Sequence, residues 1–218
     1  MTAPPHHATP ASSPLPLRRR ASVLAAATLA AAVGAALALA GCGGGALGNA
    51  DTIANPAGTG GQSLSFVYFQ RCINPVLTTP IAITINGTTT NNTCAGGGCH
   101  DNTTGTGGAL RLVGSAAPAD LTQDVATVRA TDIYRNFYSA FGETVVGQPA
   151  QSRLLNKPLV RGVLHGGGQI FASANDPGAV LFQYWINRPM PQGQNEFSSA
   201  ANAMFANNDP VNGACNTQ

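Results

Sequence analysis

Beyond residue 62, apolar positions fall into short stretches separated by runs of Gly, Asn, Thr and Ala. The stretch 63–77, SLSFVYFQRCINPVL, spaces its apolar groups as one face of a short helix, with Ser63 or Ser65 at the N-cap. Residues 78–93 alternate β-branched and small residues around Asn86-Gly87, which predicts a small hairpin or an extended loop. Helical spacing returns over 120–141, with Val125, Val128, Ile133, Phe137 and Phe141 near one stripe. A short helical turn is expected within 152–159, followed by a loop around His165. The clearest helix follows Asp176, a capping residue, with Pro177 in its first turn and Val180, Leu181, Tyr184 and Trp185 as its buried face. Another short helix is expected near 195–208, and there is no internal repeat. The pattern therefore predicts a mostly α fold with long Gly-rich loops and one small β-hairpin or extended insert.

Upstream the pattern is of another kind. Arg18-Arg19-Arg20 precedes an Ala-rich apolar run that closes on Leu39-Ala40-Gly41-Cys42. A basic patch, an apolar stretch and a small-residue cleavage site make a secretory signal over 1–41. A membrane anchor is the competing reading, but the run is mostly weakly apolar Ala and lacks a second basic flank. Its ending resembles the bacterial lipobox, which implies a lipid on Cys42. Gly43, rather than Asp, resembles the pattern sent to the outer membrane. The expectation is an exported, lipid-anchored, periplasm-facing protein, with 42–62 as a flexible tether and 63–218 as one domain.

Taking away the signal changes the charge balance. From Cys42 onward there are eight Lys and Arg against nine Asp and Glu, so nothing offers the basic face that nucleic acid requires. Only His100 and His165 follow the signal, and no Gly-x-Ser-x-Gly or metalloprotease motif is present. No enzyme is expected.

Export would place Cys72, Cys94, Cys99 and Cys215 in an oxidising compartment. Four cysteines allow three pairings, and if Cys94 and Cys99 hold something else, Cys72 and Cys215 remain to join the two ends of the domain. The stretch CAGGGCH at 94–100 admits three chemistries. One is a local Cys94–Cys99 disulfide with His100 incidental. Another is zinc on Cys94, Cys99 and His165 or His100, although adjacent Cys99 and His100 suit one tetrahedral ion badly and no second Cys pair stands at finger spacing. The third is a c-type haem, whose vinyl groups take up both thiols while the adjacent His ligates iron. The usual gap is two residues and here it is four, so the glycines would have to supply slack.

The order of parts around this motif resembles the small cytochrome c-like domains of exported bacterial proteins. The matching parts are FQRCINPVL (69–77), CAGGGCHDNTTGTGGALRL (94–112), SRLLNKPL (152–159), HGGGQIF (165–171) and VLFQYWI (180–186). The likeness spans most of 66–188. It departs in the widened cysteine gap, the insert at 78–93 and the RPMP after the last helix. The resemblance implies one covalent haem c on Cys94 and Cys99, with His100 on the iron. His165 takes the slot of the second axial ligand, with Met190 as the alternative. It further implies an electron carrier serving periplasmic or membrane redox proteins. The competing expectation, of a different class, is a structural or interaction lipoprotein stapled by Cys94–Cys99 and Cys72–Cys215 disulfides. Phe66, Phe69, Tyr134, Phe137 and Trp185 fit either a haem lining or an ordinary core.

Overall fold

A computed structural model of the protein describes residues 61–85 and 87–218. The signal over 1–41, Cys42 and nearly all of the tether lie outside the described residues. The described part is mostly helical with one two-stranded antiparallel sheet, and none of its helices is long and apolar enough to cross a membrane.

The first helix, α1, has three parts: an α-turn Phe66–Tyr68, a π-turn Phe69–Ile73 and an α-turn Asn74–Thr78. Ser65 is its N-cap, the side-chain oxygen accepting from Tyr68 N at 3.1 Å. The wide middle turn has a local cause. Pro75 has no N–H to give to the carbonyl of residue 71, and its ring crowds that carbonyl. The ladder widens just before it, with Asn74 N–H reaching Phe69 O. The helix buries Phe66, Phe69, Ile73 and Leu77.

The insert is a hairpin. Strand β1 (Ile81–Ile85) pairs antiparallel with β2 (Thr88–Asn92), in a register that sets Ile83 opposite Thr90. Gly87 takes a φ of 77° in the connecting turn, a conformation open to glycine at little cost. Ile83 is buried while most of β2 is exposed, so the hairpin turns Ile83 inward.

The helix expected over 120–141 is two. Helix α2 (Val125–Arg129) is capped by Asp124, and α3 (Asp132–Phe141) by Thr131. Thr131 has extended backbone angles and its side chain accepts from Tyr134 N. The capping residue therefore overrides the apolar period. Val125, expected on the buried stripe, is 43% exposed, because α2 is a separate short turn of helix that buries only Val128.

Short helix α4 (Arg153–Asn156) follows a 3-10 turn at Pro149–Gln151. Helix α5 (Pro177–Ile186) begins at the Asp176 cap, whose carboxylate accepts from Gly178 N at 2.9 Å. It buries Phe182 and Ile186 along with the expected Tyr184 and Trp185, while Val180 and Leu181 are only half-buried. Trp185 donates its indole N–H to Ser65 O at 2.9 Å, locking α5 to the start of α1. Phe66, Phe69, Phe137 and Trp185 pack ring against ring with centroids 5.4–6.1 Å apart. They form the centre of the core.

The segment expected as a last helix consists instead of 3-10 turns, Ser199–Met204 and Ala206–Asn208. The chain end is strapped onto α1. Cys72 and Cys215 form a disulfide, with Cα atoms 6.1 Å apart. Tyr68 donates its hydroxyl to Asn216 O, and Arg71 donates to Pro210 O, each at 2.6 Å. The bridge closes 143 residues of sequence, and a cross-link over so long a loop is worth about 2–5 kcal/mol.

Candidate functional site

The cysteine loop folds tightly after β2. Cys99 N–H donates to Gly96 O and His100 N–H to Cys94 O, both at 3.0 Å, so the seven residues close into one compact turn. Ala95 N–H, bonded to Leu77 O at 3.2 Å, pins that turn to the end of α1. The glycines here are more than slack. A Cβ on Gly96 would fall 2.0 Å from Asn92 Oδ1, and Gly98 has a φ of 79°. A Cβ on Gly97 would meet nothing closer than Thr104 Oγ1, at 3.5 Å.

Cys94 and Cys99 are unpaired and half-buried. A Cys94–Cys99 disulfide, expected under the competing reading, is therefore absent from this fold. Burial, aided by the neighbouring Cys99, pushes the Cys94 thiol up to about 11. Without a metal beside it, the thiol is protonated at neutral pH. Among the described residues no three His, Cys, Asp or Glu side chains stand together as a zinc ion would require.

His100 is buried. Its Nδ1 lies 3.1 Å from Leu110 O, and its C=O accepts from Leu112 N at 2.7 Å. His165 is half-buried, with Nδ1 2.7 Å from Gly168 O. A carbonyl can only accept, so in each histidine Nδ1 carries the proton. In the neutral form of such a ring the lone pair is on Nε2. Burial, with His165 and then Lys157 and Arg111 nearby, outweighs the bond to Leu110 O and holds the His100 pKa below the ordinary histidine value. The ring remains neutral and able to donate that pair.

The two rings stand together although 65 residues separate them in sequence. Their centroids are 6.2 Å apart and their planes differ by 12°. Two imidazoles sharing one metal ion have bonds of about 2.0–2.1 Å each, with the ring centre roughly 1.1 Å behind the nitrogen, giving about 6.3 Å in all. The observed spacing fits. The outer-nitrogen hydrogen bonds to carbonyls are also those that orient metal-bound histidines.

Both histidines and both cysteines line one cavity of about 540 Å³, within the range of cofactor sites. Its apolar lining includes Leu77, Ile81, Ile83, Leu110, Phe171 and Phe182. Glu143, Arg153 and Lys157 bring charge to the lining, Arg153 lying 3.7 Å from Glu143. Glycine again sets the fit. A Cβ on Gly107 would come within 2.5 Å of His100 Nδ1, and one on Gly178 within 2.7 Å of Phe171.

Met190 lies elsewhere. It is buried in the core, its N–H donating to Ser63 O at 2.8 Å, and it is not among the residues lining the cavity. Met204 is likewise a core residue outside that lining. The aromatic residues Phe66, Phe69, Tyr134, Phe137 and Trp185 pack with one another and do not line the cavity either. Sequence reasoning missed the hairpin isoleucines and Phe171 and Phe182 as lining residues. The Ile-x-Ile alternation of β1 marks an inward face, but no signal in the sequence says that it faces this cavity. No protein family, curated protein or solved structure matches the chain.

Proposed function

We propose that this is a monohaem electron-transfer lipoprotein, its domain of the cytochrome c-like kind, with one covalent haem c held by Cys94, Cys99, His100 and His165. The observation that carries the reading is the pairing of His100 and His165 at 6.2 Å in one cavity with both thiols, each ring bonded outward through Nδ1. Each residue has a definite task. Cys94 and Cys99 offer thiols for addition across the two vinyl groups, each S–H supplying the sulfur and the hydrogen, so no oxidant is needed. His100 and His165 would offer their Nε2 lone pairs to the iron. The apolar walls exclude water, and Arg153 and Lys157 supply positive charge for propionate carboxylates. When bound, a haem would supply one-electron chemistry, with His100 and His165 as the residues that would hold its iron.

With both histidines on the iron no coordination position would stay open, which supports transfer rather than catalysis. On this reading the chain is exported, anchored through a lipid on Cys42 and faces the periplasm from the outer membrane. Its partners there are redox proteins of the periplasm or membrane. The test is to express the full chain in a bacterial host with haem-attachment machinery. The protein should be red, show a low-spin spectrum, and retain haem through denaturing electrophoresis with a mass one haem above the lipid-bearing chain. A colourless product at the mass of the chain without haem overturns the reading.

A further inference from the structure

His100 belongs to a structure that extends beyond the cavity. Its ring N–H is received by Leu110 O, and its own carbonyl receives Leu112 N. The 110–113 segment that makes both bonds is extended loop, with only an isolated bridge between Asp101 and Leu112. Isolated chain of this kind does not hold a carbonyl in place by itself. Helix α3 holds it from the other side. Asn136, fully buried, grips Val113 twice: Oδ1 accepts from Val113 N at 2.7 Å and Nδ2 donates to Val113 O at 3.0 Å. Nδ2 also donates to Asn74 Oδ1 at 3.0 Å, tying the same point to α1. One turn along, Ser139 Oγ accepts from Arg111 N at 2.6 Å. Asn136 and Ser139 are three residues apart and so share a helix face. Between them they fix Arg111 and Val113, the two neighbours of Leu112, and Arg111 is also the neighbour of Leu110.

We propose that Asn136 and Ser139 are positioning residues for His100, holding the 110–113 segment so that Leu110 O receives the ring proton. This rests on the haem reading above. A well-made bond at Nδ1 raises the basicity of Nε2, which favours the ferric ion. Loosening the segment weakens that bond and moves the midpoint potential to a more positive value.

The test compares Ser139→Ala, Ser139→Thr and Asn136→Leu in the full haem-loaded chain, reading the midpoint potential and the electron paramagnetic resonance of the ferric form. In Ser139→Ala the potential rises and the resonance positions shift, while Ser139→Thr, which keeps the hydroxyl, returns both to the wild-type values. Asn136→Leu shifts the ferrous-to-ferric ratio at fixed applied potential by about tenfold, about 59 mV for a one-electron couple. Should Asn136→Leu fail to fold, the Ser139 pair still decides. Unchanged potential and resonance in Ser139→Ala, whatever its melting temperature does, overturn the proposal while leaving the haem reading intact. A wild-type chain that takes up no haem defeats the reading itself and the proposal with it, so the two failures are told apart.

Discussion

His100 and His165 are the same side chain in the same tautomer, yet the fold holds them in opposite ways. His100 is bonded at its backbone N–H, its carbonyl and its ring, all to segments tied into α1 or α3. His165 sits in a loop whose bonds are mainly its own: the ring to Gly168 O, Gly168 N–H back to His165 O, and Ile170 and Phe171 N–H to Pro158 O. Leu164, beside it, is 88% exposed. One proposed ligand is part of the core and the other part of the surface. Regions with few buried contacts open at low cost, while core segments open only with the whole fold. Changes on the His100 side should therefore cost stability and haem together. Changes on the His165 side should alter the spectrum and leave the fold alone.

The largest effect is expected from replacing Cys94 and Cys99 together by Ser. Covalent haem should vanish from denaturing gels, because no thiol remains to form either link. Haem still retained under denaturing conditions would place the attachment elsewhere. The matched change on the other side is His165→Ala. It should keep the covalent haem and convert the low-spin spectrum to high-spin, with imidazole added to solution restoring it. An unaltered spectrum would remove His165 as the sixth ligand.

Two glycines sharpen the contrast without replacing a ligand. Gly107→Ala drives a Cβ to within 2.5 Å of the His100 ring, and overpacking of this kind costs about 1–3 kcal/mol. A Cβ on Gly166, next to His165, would meet nothing within 4 Å, so Gly166→Ala should change stability by no more than about 0.5 kcal/mol. Chemical denaturation of both variants measures this, and equal losses would erase the distinction between the two sides.

The smallest effect concerns the outer support of α3. Glu196 Oε1 accepts from Tyr134 at 2.7 Å and from Arg129 at 2.7 and 3.0 Å. Burial pushes its carboxyl up, but the hydrogen bonds from Tyr134 and Arg129 outweigh it and leave the group below the usual carboxylate range. A depressed native value means stability that is fully present above the unfolded carboxylate pKa, about 4.3, and lost as pH falls through the native one. Melting temperature followed downward from there should fall less steeply in Glu196→Gln than in the wild type. Parallel curves would show that Glu196 is not stabilised as a carboxylate.

Much of the local structure is legible in the residues themselves. Ser65 and Asp176 mark helix starts because a short polar side chain can take a free N–H at a helix end. Asn86-Gly87 marks the hairpin because glycine reaches positive φ at little cost. The same logic explains the main error over 120–141. Thr131 caps a helix as Asp124 does, and an apolar stripe running past it does not stop the chain from beginning a new helix there. The Cys94-to-His100 motif is legible as a haem candidate, whereas the unpaired state of its thiols is not.

By itself, then, the sequence determined what depends on neighbours along the chain: caps, the turn glycine, the proline that widens α1, and the set of residues able to bind iron or form thioethers. Tertiary structure alone decided which of those residues meet. It brought His165 rather than Met190 opposite His100, left Phe66 and Trp185 to the core while giving Phe171 and Phe182 to the cavity, and turned the hairpin isoleucines toward it. The physical reason is that local propensities involve only a few successive residues, whereas a cavity wall is assembled from segments whose proximity is settled by the packing of the whole domain.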